Sequence, residues 1–141
     1  MSDAFRLERF VAAQAGAYND ALAELRAGHK HSHWMWFVFP QAEGLGHSST
    51  ARFYAIVSLD EARAYLDHPV LGPRLLAATE AATMAPAPSL NALFGSPDDM
   101  KFISSMTLFA MAADDPSPFQ AALDRWNRGG RDERTLQLMR R

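Results

Sequence analysis

The chain has 141 residues, 48% of them apolar and 21% charged, a globular profile far from that of a charge-rich disordered segment. Fourteen basic against 16 acidic residues leave a formal charge of −2, which supplies no global field for gripping nucleic acid or an anionic membrane. The absence of cysteine excludes disulfide frameworks, Cys-based zinc sites, iron–sulfur clusters and thiol nucleophiles.

Alanine and leucine contribute 40 residues, valine and isoleucine only six, so an all-α fold is expected, a compact unit of about six to eight helices. Phe5, Leu7, Phe10 and Val11, then Tyr18, Leu22 and Leu25, recur at helical spacing with charges between them. They predict one helix to about Ala27 or two meeting near Gly16, with Gly28 as the stop. After the run His29 to Gln41, Gly44, Gly46, Ser48 and Ser49 form a loop, and Ser49 or Thr50 is placed to cap a short helix through Val57. Ser58 and Glu61 have capping-box spacing, and His68-Pro69 breaks the helix that they open. Pro69 suits the first turn of a helix to about Met84. Pro86 and Pro88 end that half of the chain, and a short turn follows from Leu90 to Phe94. Ser96-Pro97-Asp98-Asp99 starts a helix to about Ala113, with Ser96 as its cap, and its apolar circumference predicts a central position. Further helices are expected from Phe119 to Trp126 and from Glu133 to Met139. No repeat or linker divides the chain, so residues 1–141 are expected to form a single helical domain.

The run His29-Lys30-His31-Ser32-His33-Trp34-Met35-Trp36-Phe37-Val38-Phe39-Pro40-Gln41 holds two of the three tryptophans beside cationic and titratable groups. Its apolar half suits a core segment. Its tryptophans equally offer indole donors and flat faces for stacking, with Lys30 and His33 available to an anion. In a strand Trp34 and Trp36 share a face, and in a helix they do not. One of them is expected to be structural and the other tolerant of replacement. The alternating histidines resemble a metal trap, but they follow a helix stop and have no acidic companion before Glu43, so no metal site is expected.

Ser32 to Gln41 with Gly44-Leu45-Gly46, then Ala51-Arg52-Phe53-Tyr54-Ala55-Ile56, resembles the bacterial family catalogued as domain of unknown function 1810. His68-Pro69-Val70-Leu71-Gly72-Pro73-Arg74-Leu75, Phe94 to Lys101 and Ser104 to Phe109 carry the likeness further, over about residues 7 to 139. The resemblance implies a small, mainly helical single domain and no established reaction. In the family pattern the neighbours of Lys30 are not usually histidine, which leaves His33 as the histidine of interest. Some members carry the label of calpastatin, whose inhibitory regions are disordered repeats; this globular, repeat-free chain does not support it.

Lys101 and Ser104 stand on neighbouring turns of one helix, and a lysine beside a serine can activate its hydroxyl. The competing reading has Ser104 and Ser105 bonded back to helix carbonyls. Arg52 and Arg74, each among apolar residues, either reach solvent or grip an anion. There is no Gly-rich phosphate loop, nucleophile elbow or His-Glu zinc motif, and no cofactor is expected.

These residues predict an enzyme or small-ligand receptor whose pocket is made by His33, Trp34, Trp36 and Gln41 with Ser104, is rimmed by Lys30, Arg52 and Lys101, and takes an anionic, nucleotide-like molecule. If it is catalytic, His33 is the proton-transfer group, with Lys30 or Arg52 stabilising developing negative charge. The alternative is a non-enzymatic interaction module, or a homodimer, anchored by the same tryptophans. Charged residues from Asp3 to Arg9 occupy the place of a signal sequence, and no run approaches ~20 apolar residues, so a cytoplasmic protein without a membrane or nucleic-acid partner is expected.

Overall fold

A computed structural model of the protein describes residues 3–140. In chain order the helices are α1 (Glu8–Gln14), α2 (Tyr18–Ala27), α3 (Met35–Val38), α4 (Ser49–Phe53), α5 (Leu59–Asp67), α6 (Leu71–Thr83), α7 (Leu90–Phe94), α8 (Asp98–Ala112), α9 (Ser117–Asn127) and α10 (Glu133–Met139). The fold is helical, as expected, but the described residues form ten helices and not six to eight. Part of the surplus is α1 and α2, separate on either side of Gly16, and part is the four-residue α3, too short to show a period in sequence.

The longest helix, α8, is central: α5, α7, α9 and α10 all pack on it. Nine of its residues are buried, from Phe102 to Ala112, so its apolar character faces neighbours on several sides. The buried apolar side chains form one contiguous cluster that also takes in Phe10, Leu25, Trp34, Phe39, Tyr65, Leu75 and Phe119. Among the described residues no helix is long and apolar enough to cross a membrane.

Local chemistry explains the helix ends. Gly28 takes φ 83° as the left-handed cap of α2, and a side chain there would meet the Pro86 carbonyl oxygen at 2.7 Å. Ser58 caps α5, accepting from the Glu61 amide at 3.1 Å, and the Glu61 carboxylate accepts from the Val57 amide at 2.9 Å. Three expected starts are corrected. Ser48, not Ser49 or Thr50, caps α4, which stops at Phe53 and not Val57. The residues beyond it run extended, with Ala42 and Ile56 in a parallel bridge. Helix α6 opens at Leu71 and not Pro69, because His68 Nδ1 accepts from the amides of Val70 and Leu71 at 3.1 and 3.3 Å. Pro97, not Ser96, precedes the first residue of α8, and no side chain caps that end. Asp98 and Asp99 do fill its first turn, where a carboxylate offsets the positive helix terminus.

Candidate functional site

The run from His29 to Gln41 is organised by Glu24 of α2. Its carboxylate accepts from the backbone amides of His31 and Ser32 at 2.6 and 2.9 Å, from Ser32 Oγ at 2.5 Å and from the Trp34 indole at 3.0 Å. Partial burial disfavours the charged form, but these donors outweigh it and hold the Glu24 carboxyl down at about 2. The folded-state value thus lies below the ordinary 4.5, so this contribution to stability is present above 4.5 and lost as pH falls toward 2. Glu24→Gln is expected to cost about 1–3 kcal/mol at neutral pH, with buried donors left poorly matched. Its deficit against the parent should narrow across that acid window in urea unfolding at several pH values. A deficit independent of pH would contradict the carboxylate's role.

The helical turn α3 sends the two tryptophans to different surroundings. Trp34 is fully buried, with its ring against Phe39 and Phe94 at centroid distances of 6.1 and 6.3 Å. Trp36 is half-buried, and the Lys101 ammonium lies 5.2 Å from its ring centroid. Gln14 holds the turn from below, donating to the Phe37 carbonyl at 2.7 Å and to the Tyr65 hydroxyl at 3.0 Å. The chain then leaves through Gln41, whose carbonyl accepts from the Ile56 amide at 2.9 Å.

Trp36 and Gln41 line a cavity of about 510 Å³ between the 41–48 loop with the first turn of α4 and the start of α8. Leu45, Pro97 and Met100 add apolar surface, and His47, Ser48, Lys101, Ser104 and Asp132 add polar groups. Gly46 permits the tight loop, since a Cβ there would stand 2.6 Å from that of Ala51. Lys101 pairs loosely with Asp98 at 3.6 Å, and the same carboxylate binds Lys30 at 3.0 Å. Two ammonium groups therefore share the Asp98 carboxylate, and Lys101 is the one of them that lines the cavity beside Trp36. In the same cavity Asp132 Oδ2 accepts from Ser104 Oγ at 3.1 Å, from the Thr135 amide at 3.0 Å and from Thr135 Oγ1 at 2.5 Å.

Four of the residues singled out in the sequence, Trp36, Gln41, Lys101 and Ser104, thus meet at this cavity. The others lie elsewhere. Trp34 is core, and Lys30, with a side chain only 8% exposed, donates to the Ser32 carbonyl at 2.6 Å and to Asp98. His33 is exposed and outside the cavity lining. Arg52 is exposed, at a small crevice of about 20 Å³ shared with Trp36, Gln41 and Tyr54, and in a second cavity of about 370 Å³ with Arg6 and Arg9. Arg74 donates to Gln14 at 3.3 Å and covers the Tyr18 ring at 5.2 Å. Lys101 and Ser104 engage Asp98 and Asp132 respectively, so no Lys-Ser pair forms. Ser104 Oγ also lies 3.2 Å from the Met100 carbonyl, whereas the buried Ser105 hydroxyl has no partner among the described residues. The rings of His29 and His31 meet edge to face at 4.7 Å, and among the described residues no three His, Asp or Glu side chains are placed to hold a metal ion.

His47, Ser48 and Asp132 complete the cavity without having been singled out in the sequence. Asp132 had a local signal, since Asp-Glu-Arg-Thr is an N-cap pattern, but that pattern says nothing about Ser104 across the fold.

A family model described as "Protein of unknown function (DUF1810)" matches residues 4–139. The chain belongs to that family. It is similar in structure to the conserved hypothetical protein Rv1873 from Mycobacterium tuberculosis, with 51% identity, 99% of each chain covered and a TM-score of 0.96. No curated protein matches it. The family likeness expected from the Ser32 to Gln41 segment and its companions is therefore correct and extends over nearly the whole chain.

Proposed function

We propose that this member of the DUF1810 family binds a small anionic molecule with a flat aromatic part, of nucleotide type, in the cavity beside Trp36. The observation that carries the reading is Lys101 against a half-buried Trp36 at the wall of a 510 Å³ concavity. A cavity of this size, with apolar walls and a few convergent polar groups, has the usual makeup of a small-molecule site. The indole supplies a stacking surface, Lys101 supplies charge, and Gln41 and Ser48 add hydrogen-bonding groups. Lys30 braces the site through Asp98, which Lys101 also contacts, and Arg52 shares a small crevice with Trp36 and Gln41. His33, outside the cavity lining, takes no part in this binding. The alternative of partner docking through both tryptophans has less support, because Trp34 is fully enclosed and offers no surface.

The test is thermal melting of the parent, Trp36→Ala and Lys101→Ala with a panel of nucleotides. Both variants should fold nearly as well as the parent, within about 1–2 kcal/mol, because their side chains face a cleft. Ligand should raise the melting temperature of the parent alone. A panel without effect on the parent, or equal shifts in all three proteins, would sink the proposal.

A further inference from the structure

The cavity also contains an acceptor that a purely anionic ligand would not use. Asp132 Oδ2 is saturated by three donors from Ser104 and Thr135, whereas Oδ1 has no hydrogen-bond partner among the described residues. The carboxylate is rigidly held, because its other oxygen caps α10 and its own amide donates to Thr107 Oγ1 at 2.8 Å. The lysine of the cavity does not neutralise it, since Lys101 pairs with Asp98. Ser104, which contacts Asp132, stands three residues after Lys101 on α8, an axial offset of about 4.5 Å. Lys101 and Asp132 thus line the same cavity as Trp36 without pairing with each other, so it presents one positive and one negative group.

We infer that Asp132 is a specificity-determining residue that selects ligands carrying a nitrogen donor on the aromatic ring, so the molecule bound is an amino-substituted nitrogen heterocycle joined to an anionic group. This rests on the reading of the cavity as a nucleotide-type site. A phosphate or carboxylate group is repelled by Asp132 and drawn to Lys101. A ring amino group donates to Oδ1, whereas a ring without a donor covers that oxygen and displaces its water without replacing the hydrogen bond. Leaving a polar group of a site unpaired is how proteins reject a close analogue.

The probes are adenosine 5′-monophosphate, which has an exocyclic amino group, and purine riboside 5′-monophosphate, which differs only in lacking it. Titration calorimetry of the parent should show the amino compound binding about tenfold tighter. Asp132→Asn retains a good helix cap and turns the amide NH2 toward the ligand, so it should lose about tenfold for the amino compound and change little for the other. Asp132→Ser, also a competent cap, should remove the preference without reversing it and covers the case in which the asparagine variant folds poorly. Equal binding of both compounds by the parent, or an unchanged preference in both Asp132 variants, would overturn the role of Asp132. In that event weakening of both compounds by Trp36→Ala would leave the cavity reading standing. Failure of both compounds to bind the parent at millimolar concentration would overturn the inference and the cavity reading together.

Discussion

Replacing Trp34 with alanine should destabilise the protein by about 3–5 kcal/mol and lower the melting temperature by roughly 10–20 °C. The indole is fully buried between Phe39 and Phe94, and these phenylalanines also meet Phe102 of α8 at 5.0 and 4.9 Å. Truncation opens a cavity in that aromatic cluster and removes the indole donor from Glu24, so the packing loss and the polar loss act together. Phenylalanine at position 34 should recover most of the packing and leave only the cost of the missing N–H. A Trp34→Ala variant that melted within a few degrees of the parent would mean that this cluster is not the core of the fold.

The second large effect is expected at Arg9, where alanine should cost about 3–5 kcal/mol in urea unfolding. Its guanidinium binds Glu61 at 2.8 Å, with side-chain exposures of only 9% and 3%. It also donates to the carbonyls of Phe5, Phe53 and Ala55 at 2.6, 2.8 and 3.1 Å and covers the Phe10 ring at 4.4 Å. One side chain thus joins the segment before α1, the end of α4 and the start of α5. Without it the Glu61 carboxylate stays enclosed with only the Val57 amide to balance it. Lysine should rescue poorly, because an ammonium cannot reproduce the planar fork of donors. Glu61→Gln in the Arg9→Ala background should recover part of the loss, since it removes the uncompensated charge. A cycle in which the two changes simply add would show that the pair is not coupled.

Much of this architecture was legible in the sequence because it is local. The Ser58 and Glu61 pair, the glycine stop at 28, the acidic first turn at Asp98 and Asp99 and the apolar circumference of α8 depend on residues within a turn or two of each other. The misplaced starts are also local, but they were decided by competing partners. His68 turned its ring back to bond two amides, and the demand of Ala42 and Ile56 for a bridge drew residues 55–57 out of helix.

The candidate site divides along the same line. Trp36, Gln41, Lys101 and Ser104 stood out by type, yet nothing in their spacing told that they meet while Trp34, Lys30 and His33 stay apart. That depended on whether residues 35–38 form a turn of helix or a strand, which a four-residue apolar run does not reveal. Glu24 left no signal, because its four donors come from residues seven to ten positions ahead through a loop. Asp132 reaches Ser104 across 28 residues, and that contact exists only once α10 packs on α8.

The most direct measurement is the nuclear magnetic resonance spectrum of the three indole N–H groups, recorded as adenosine 5′-monophosphate is added. The Trp36 resonance should move with a saturable dependence. Those of Trp34, bonded to Glu24, and Trp126, bonded to the Ala82 carbonyl at 3.0 Å, should stay in place. Lys101→Ala should weaken the response without shifting the other two signals. Movement of Trp34 or Trp126 with Trp36 unmoved, or no response from any of the three, would contradict a ligand site beside Trp36.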